Sequence, residues 1–333
     1  MLRLFWPAGF RRGDLVEVRS AIEIAATLDA DGRLDGMPFM PEMVPYCGQR
    51  VRVYRRADKT CVEGFGLRRL RNTVFLENLR CDGAVHDGCE RGCLMFWKEA
   101  WLRPVADQAA DEASAPAHGA TAAAIGWAAN LPTRSGGRYI CQSTALAAAT
   151  SKLSGWNPMH LLREVATGEV TLQHFAQIVT RGLHNKARKL VRLPEIGGLA
   201  GVSRRNPKGD LALAPNEIVD IKSTAEISTT LDPTGRNQGL TFEPDMADYT
   251  QQRHQVEKPV TRIILEQTGE MIRLSSTVIL KGVTCRGLCS KNCPRNNPLF
   301  WREIWLRRVE AETPTAANLP AASCARQKEN AHA

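Results

Sequence analysis

The chain has 333 residues, 43% hydrophobic and 24% charged, with a formal net charge of +9, which is ordinary globular composition and enough for two or three domains. Nowhere does an apolar run reach the roughly 18 residues that mark a membrane helix, and the start MLRLFWPAGFRRGD is too soon charged for a secretory signal. A cytoplasmic protein is therefore expected, whose ten cysteines act as thiols or metal ligands rather than disulfides, and whose positive charge admits an anionic partner.

The first element in chain order is an alternating strand, Leu15-Val-Glu-Val. Ser20-Ala-Ile-Glu23 has the form of a capping box and predicts a short helix through Leu28. Asp29-Ala-Asp-Gly32 predicts a turn, and Gln49 to Arg55, Thr73 to Cys81 and Phe96 to Val105 predict further strands. Residues 13–105 thus form a first β module, most economically a small SH3-like barrel. Residues 106–137 are Ala-rich and read as a linker. Residues 138–192 are helical in pattern, with Leu172, Phe175, Ile178, Val179, Leu183, Ala187 and Leu190 at helical spacing, and predict a small bundle of about three helices. Residues 193–215 form a basic linker, and the tail 310–333 has the composition of disorder.

Residues 216–309 repeat the first module. LVEVRSAIEIAATLDADGRLDGMPF (Leu15 to Phe39) lies over IVDIKSTAEISTTLDPTGRNQGLTF (Ile218 to Phe242) at an offset of 203, with 11 of 25 positions identical. The match resumes at an offset of 204 with FWKEAWLRPV (Phe96 to Val105) over FWREIWLRRV (Phe300 to Val309). Two copies are too few for a solenoid, so tandem domains with separate cores are expected. The predicted fold class is α+β: two homologous SH3-like modules flanking a helical segment.

Each copy carries a cysteine cluster. Cys81, Cys89 and Cys93 stand as C-x7-C-x3-C in the first, and Cys285, Cys289 and Cys293 as C-x3-C-x3-C in the second. Aligned cysteine by cysteine, the loop loses four residues before its second thiol and gains four after its third. Thiols that persist while their loop slides behave as metal ligands, and structural zinc needs four soft ligands. Cys61 is the natural fourth ligand in the first module, with His86 as an extra candidate. Leu265 is taken as the counterpart of Cys61 in the second module, and His254 as a replacement ligand. Buried free thiols are the plain alternative, and an iron–sulfur cluster a third. Cys47, Cys141 and Cys324 have no counterpart in the repeat and are read as structural or incidental.

In strand geometry Trp97, Glu99 and Trp101 share a face, as do their counterparts Trp301, Glu303 and Trp305. These indoles either fill a core or form an exposed binding platform. Glu42 and Asp245, within the recurring F-x-P-[ED]-M-x-x-Y element, read as a turn that closes the barrel. Lys186, Arg188 and Lys189 form a basic cluster, either a solvated helix face or an anion-binding patch. Phosphate-loop, zinc-protease and serine-hydrolase motifs are absent from the sequence.

The residues VEVRSxxEIxxTLDxxGRLDGMPFMPEM with LRCDGxxHxGCxxGCLxFWKEAWL resemble an uncharacterised bacterial family of paired modules joined by a helical middle. The resemblance implies Cys61, Cys81, Cys89 and Cys93 as a set, and no particular activity. The function expected is a zinc-stabilised tandem adaptor with a protein partner. The alternatives are an accessory biosynthetic enzyme with a cysteine-ligated metal, and a nucleic-acid-binding protein using the basic helix.

Overall fold

The structure is a computed structural model describing residues 9–106, 126–153, 159–191, 193, 195–288 and 292–309. The first module contains strands β1 (Leu15–Val18), β2 (Arg33–Leu34), β3 (Met37–Pro38), β4 (Arg50–Arg56), β5 (Lys59–Val62), β6 (Gly66–Arg69), β7 (Thr73–Arg80), β8 (Leu94–Lys98) and β9 (Leu102–Pro104). Helix α1 (Ala21–Ala25) opens on the expected capping box, with the Ser20 hydroxyl and the Glu23 carboxylate each bonded to the other's backbone. Five strands form a curled antiparallel sheet in the order β8-β7-β4-β1-β9.

The middle of the chain supplies β10 (Arg134–Ser135), β11 (Arg138–Tyr139), α2 (Gln142–Ala149), β12 (Ser151–Lys152), α3 (Met159–Ala166) and α4 (Leu172–Leu190). After it come β13 (Ile218–Ile221), α5 (Thr224–Ser228), β14 (Arg236–Asn237), β15 (Leu240–Thr241), β16 (Arg253–Pro259), β17 (Arg262–Ile264), β18 (Met271–Arg273), β19 (Thr277–Thr284), β20 (Pro298–Arg302) and β21 (Leu306–Arg308). The second sheet, β20-β19-β16-β13-β21, repeats the order of the first. Register repeats too: Val74 faces Trp97 across β7 and β8, and Val278 faces Trp301 across β19 and β20. The change of offset from 203 to 204 lies in one hairpin. Cys61 pairs with Leu67 and Ile264 with Met271, so the second turn is one residue longer. The counterpart of Cys61 is therefore Ile264, not Leu265.

The four repeated tryptophans are fully buried. Trp97 lies in β8, which ends at Lys98, but Glu99–Trp101 is a 3-10 turn rather than a continuation of the strand. That turn aims both indoles at the same core. Phe39 meets Trp97 and Trp101 edge-on at 6.4 and 5.3 Å, and Phe242 meets Trp301 and Trp305 at 6.3 and 5.6 Å. The Trp101 and Trp305 indoles donate to the hydroxyls of Thr27 and Thr230, each at 3.0 Å. The exposed platform is thus replaced by a core, because aromatic burial outweighs any gain from leaving such large surfaces in water.

The described part of the expected linker also enters a core. Trp127 stacks on Phe39 at 5.7 Å, and Ala128, Leu131 and Leu146 are buried against the first module. The Gln142 side chain accepts from Phe96 N at 2.8 Å and donates to Phe96 O at 2.8 Å, so an amide takes the place of a neighbouring strand. Strand β12 pairs with β6, extending the β5–β6 hairpin. The three helices of the middle therefore do not gather into a bundle: α2 belongs to the first module, while α3 packs with α4. Residues 107–125 of the linker and the tail from 310 lie outside the described residues.

Candidate metal centre and module interface

The 3-10 turn Pro41–Tyr46 presents Glu42 to the end of β7, where Cys81 begins the cysteine loop. His86 from that loop places Nδ1 2.6 Å from Glu42 Oε1, and Cys81 Sγ lies 3.8 Å from the same oxygen. Among the described residues, Glu42, Cys81 and His86 form the group whose ligand atoms all lie within 4.8 Å of one another, and such a group can hold a metal ion. His86 Nε2 donates to the Ile140 carbonyl at 2.9 Å. That bond leaves Nδ1 facing Glu42 and the Cys81 thiol, the outer-shell arrangement that orients a metal-binding imidazole. The side chains of His86 and Glu42 are 1% and 4% exposed, and Glu42 Oε2 is buried without a hydrogen-bond partner among the described residues. A buried oxygen left unpaired is costly, and a cation answers it.

The electrostatics of the site favour positive charge. Burial works against the imidazolium, but the Glu42 carboxylate and the Ile140 carbonyl outweigh it, and the His86 pKa is raised. Burial, then the Glu42 charge, pushes the Cys81 thiol far above its ordinary range. Beside the triad is a cavity of about 30 Å3 lined by Met40, Cys81, His86, Cys89, Cys93 and Cys141, among others. Burial pushes Cys141 up to about 11.

The expected sulfur set changes accordingly. Cys81, Cys89 and Cys93 share the cavity wall, but Cys61 does not; Cys141, read from the sequence as structural or incidental, takes a place there as well. Cys61 lies at the other module, its backbone N–H donating to Cys293 Sγ at 3.1 Å. In the second module Cys285 faces Asp245 at 3.4 Å and Cys293 faces Cys61. Cys289 lies outside the described residues. The carboxylate equivalent to Glu42, Asp245, has Arg181 of α4 at 3.9 Å. A guanidinium there supplies positive charge that the first module's site draws from His86.

The loop itself has not slid. Gly83 and Gly287 have φ of +72° and +70°, and a side chain at either would collide with the backbone of Cys89 or Cys293 respectively. Gly88 N donates to Gly83 O at 3.0 Å, and Asn292 N to Gly287 O at 2.8 Å. At this constant offset Cys89 corresponds to Cys293, and Cys93 to Asn297, with Cys81 N bonded to Cys93 O and Cys285 N to Asn297 O, both at 2.8 Å. The shared pattern is C-x-G-x5-C-x-R, from Cys81 to Arg91 and from Cys285 to Arg295. Its spacing was visible in the sequence; matching cysteines in order concealed it.

Both loops use that pattern to hold the opposite module. Cys89 Sγ accepts from Ile264 N at 3.4 Å, and Arg91 donates to Ile264 O at 2.9 Å. Reciprocally, Cys293 Sγ accepts from Cys61 N at 3.1 Å, and Arg295 donates to Cys61 O at 3.1 Å. Cys61 and Ile264 occupy equivalent places in the β5–β6 and β17–β18 hairpins. Glu266 closes the arrangement, 2.7 Å from Arg295 and 4.0 Å from Arg91. Arg295 also reaches the Ser143 hydroxyl at 3.1 Å. The hydrogen bond from the Cys61 thiol lowers the Cys293 pKa against the effect of burial, and Arg295 adds to the shift.

Lys186, Arg188 and Lys189 lie on the C-terminal half of α4, Lys186 and Lys189 exposed and Arg188 half-buried. No helix of the described residues is long and apolar enough to cross a membrane. No protein-family model, no curated protein and no solved structure matches the chain.

Proposed function

We propose that the protein is a zinc-stabilised tandem adaptor of two SH3-like modules that acts in the cytoplasm and binds a protein partner. The observation that carries the metal is the buried Glu42–Cys81–His86 triad with its unpartnered carboxylate oxygen. Carboxylate, thiolate and imidazole are all zinc donors, and Cys93 or Cys141, on the adjoining cavity wall, would complete a set of four. Burial of the imidazole and carboxylate favours a closed structural site, whereas a catalytic zinc keeps a coordination position for water or substrate. This favours an adaptor over an accessory enzyme. Two modules clamped in fixed relation offer a partner a preorganised surface, which lowers the entropic cost of binding.

Metal analysis of protein purified without added metal tests the reading. One zinc per chain is expected, lost in Cys81→Ser and in His86→Ala but retained in Cys285→Ser. Because Cys81 and His86 must shed protons to bind a metal, and both hold them above their ordinary range, zinc affinity should climb as pH rises through neutrality. Metal-free protein, or equal zinc content in Cys81→Ser, would refute the assignment.

A further inference from the structure

Helix α4 turns its apolar row away from the protein. Leu172, Val179, Leu183 and Leu190 fall within about 20° of one line on a helix of 3.6 residues per turn. Leu172, Leu183 and Leu190 are 73%, 64% and 82% exposed. The opposite side makes the contacts: Ile178 is buried, Asn185 Oδ1 accepts from Ile196 N at 2.8 Å, and Arg181 pairs with Asp248 at 3.4 Å. A surface helix ordinarily shows the reverse, apolar inward and polar outward. Exposed Val191 and Leu193 carry the apolar surface past the end of the helix.

Charge selects what covers this row. Helix α4 contains Arg181, Lys186, Arg188 and Lys189 and neither Asp nor Glu. By helical position Lys186 and Lys189 flank the row on one side and His184 on the other, while Arg188 falls beside Arg181 on the packed side. A nucleic-acid duplex would answer the charge but leave the leucines in water. A second copy of this chain would cover the leucines but set basic helix against basic helix. An anionic bilayer answers both, since the acyl boundary takes the leucines while Lys stems extend to the headgroups. We propose that α4 is a membrane-surface helix, lying flat in the headgroup layer of an anionic bilayer and holding both modules against it. This goes beyond the metal assignment and is independent of it.

Co-sedimentation of the full-length protein with phosphatidylcholine vesicles, with and without phosphatidylglycerol, tests the proposal. Binding is expected with phosphatidylglycerol, weakened by added salt. The double variant Leu183→Ser/Leu190→Ser should lower partitioning by roughly tenfold or more with its melting temperature preserved, because both side chains already face solvent. Lys186→Gln/Lys189→Gln, which leaves the apolar row intact, should lower it by roughly tenfold as well. Failure to sediment with anionic vesicles would overturn the proposal. So would vesicle binding that neither variant weakens, or α4-dependent binding of a DNA duplex or an acidic amphipathic peptide by protein that leaves vesicles unbound.

Discussion

Arg91 and Arg295 occupy the same place in the repeat but unequal surroundings. Arg295 lies 2.7 Å from Glu266, with side chains 9% and 3% exposed, whereas Arg91 stands 4.0 Å away and is 15% exposed. Removing one partner of a buried pair leaves the other charge desolvated, at a cost of about 3–5 kcal/mol. Arg295→Ala should therefore approach that loss in a denaturant titration, and Arg91→Ala should cost clearly less. Equal losses would mean that Glu266 is shared evenly. The cysteine cluster was plain in the sequence because its thiols recur, yet their roles were not. Cys89 and Cys293 serve as acceptors between modules, and nothing in a one-dimensional spacing tells a sulfur that meets an N–H from one that meets a metal. Glu42 read as a turn residue for the same reason: its burial depends on His86, which lies 44 positions further along the chain.

The strands and the α1 capping box were legible because their signals are local, in alternation and in Ser-x-x-Glu. The FWKEAWL segment was not, since alternation looks alike in a strand and in a strand broken by one 3-10 turn. Nor was α2, whose low amphipathic contrast hides its attachment to the first module. Its anchor, Gln142, is 3% exposed and satisfies both backbone groups of Phe96. Gln142→Ala leaves a buried N–H and C=O without partners, each costing about 1–3 kcal/mol. A loss of about 3 kcal/mol is expected on thermal or chemical unfolding, and hydrogen exchange at Phe96 should quicken relative to the rest of β8. Unchanged exchange there would show that water replaces the amide.

At the scale of the molecule, each half grips the hairpin of the other through the same pair of groups, a sulfur on the N–H and a guanidinium on the carbonyl. That reciprocity is what a two-fold dimer interface looks like, here closed within one chain. A chain cut in the stretch 201–209 would keep α2 with the first sheet and every clamp residue with its own half. The two pieces should then travel together on gel filtration, dissociating on dilution as a bimolecular complex does. Pieces that elute separately would show that covalent connection supplies most of the association. The uncut protein has, in consequence, no valence left at this surface. Its self-complementary patches are already spent on each other, so copies gain nothing by joining through them, unless two chains exchange halves. Concentration and refolding conditions, rather than a change of sequence, would set how often such exchanged pairs form.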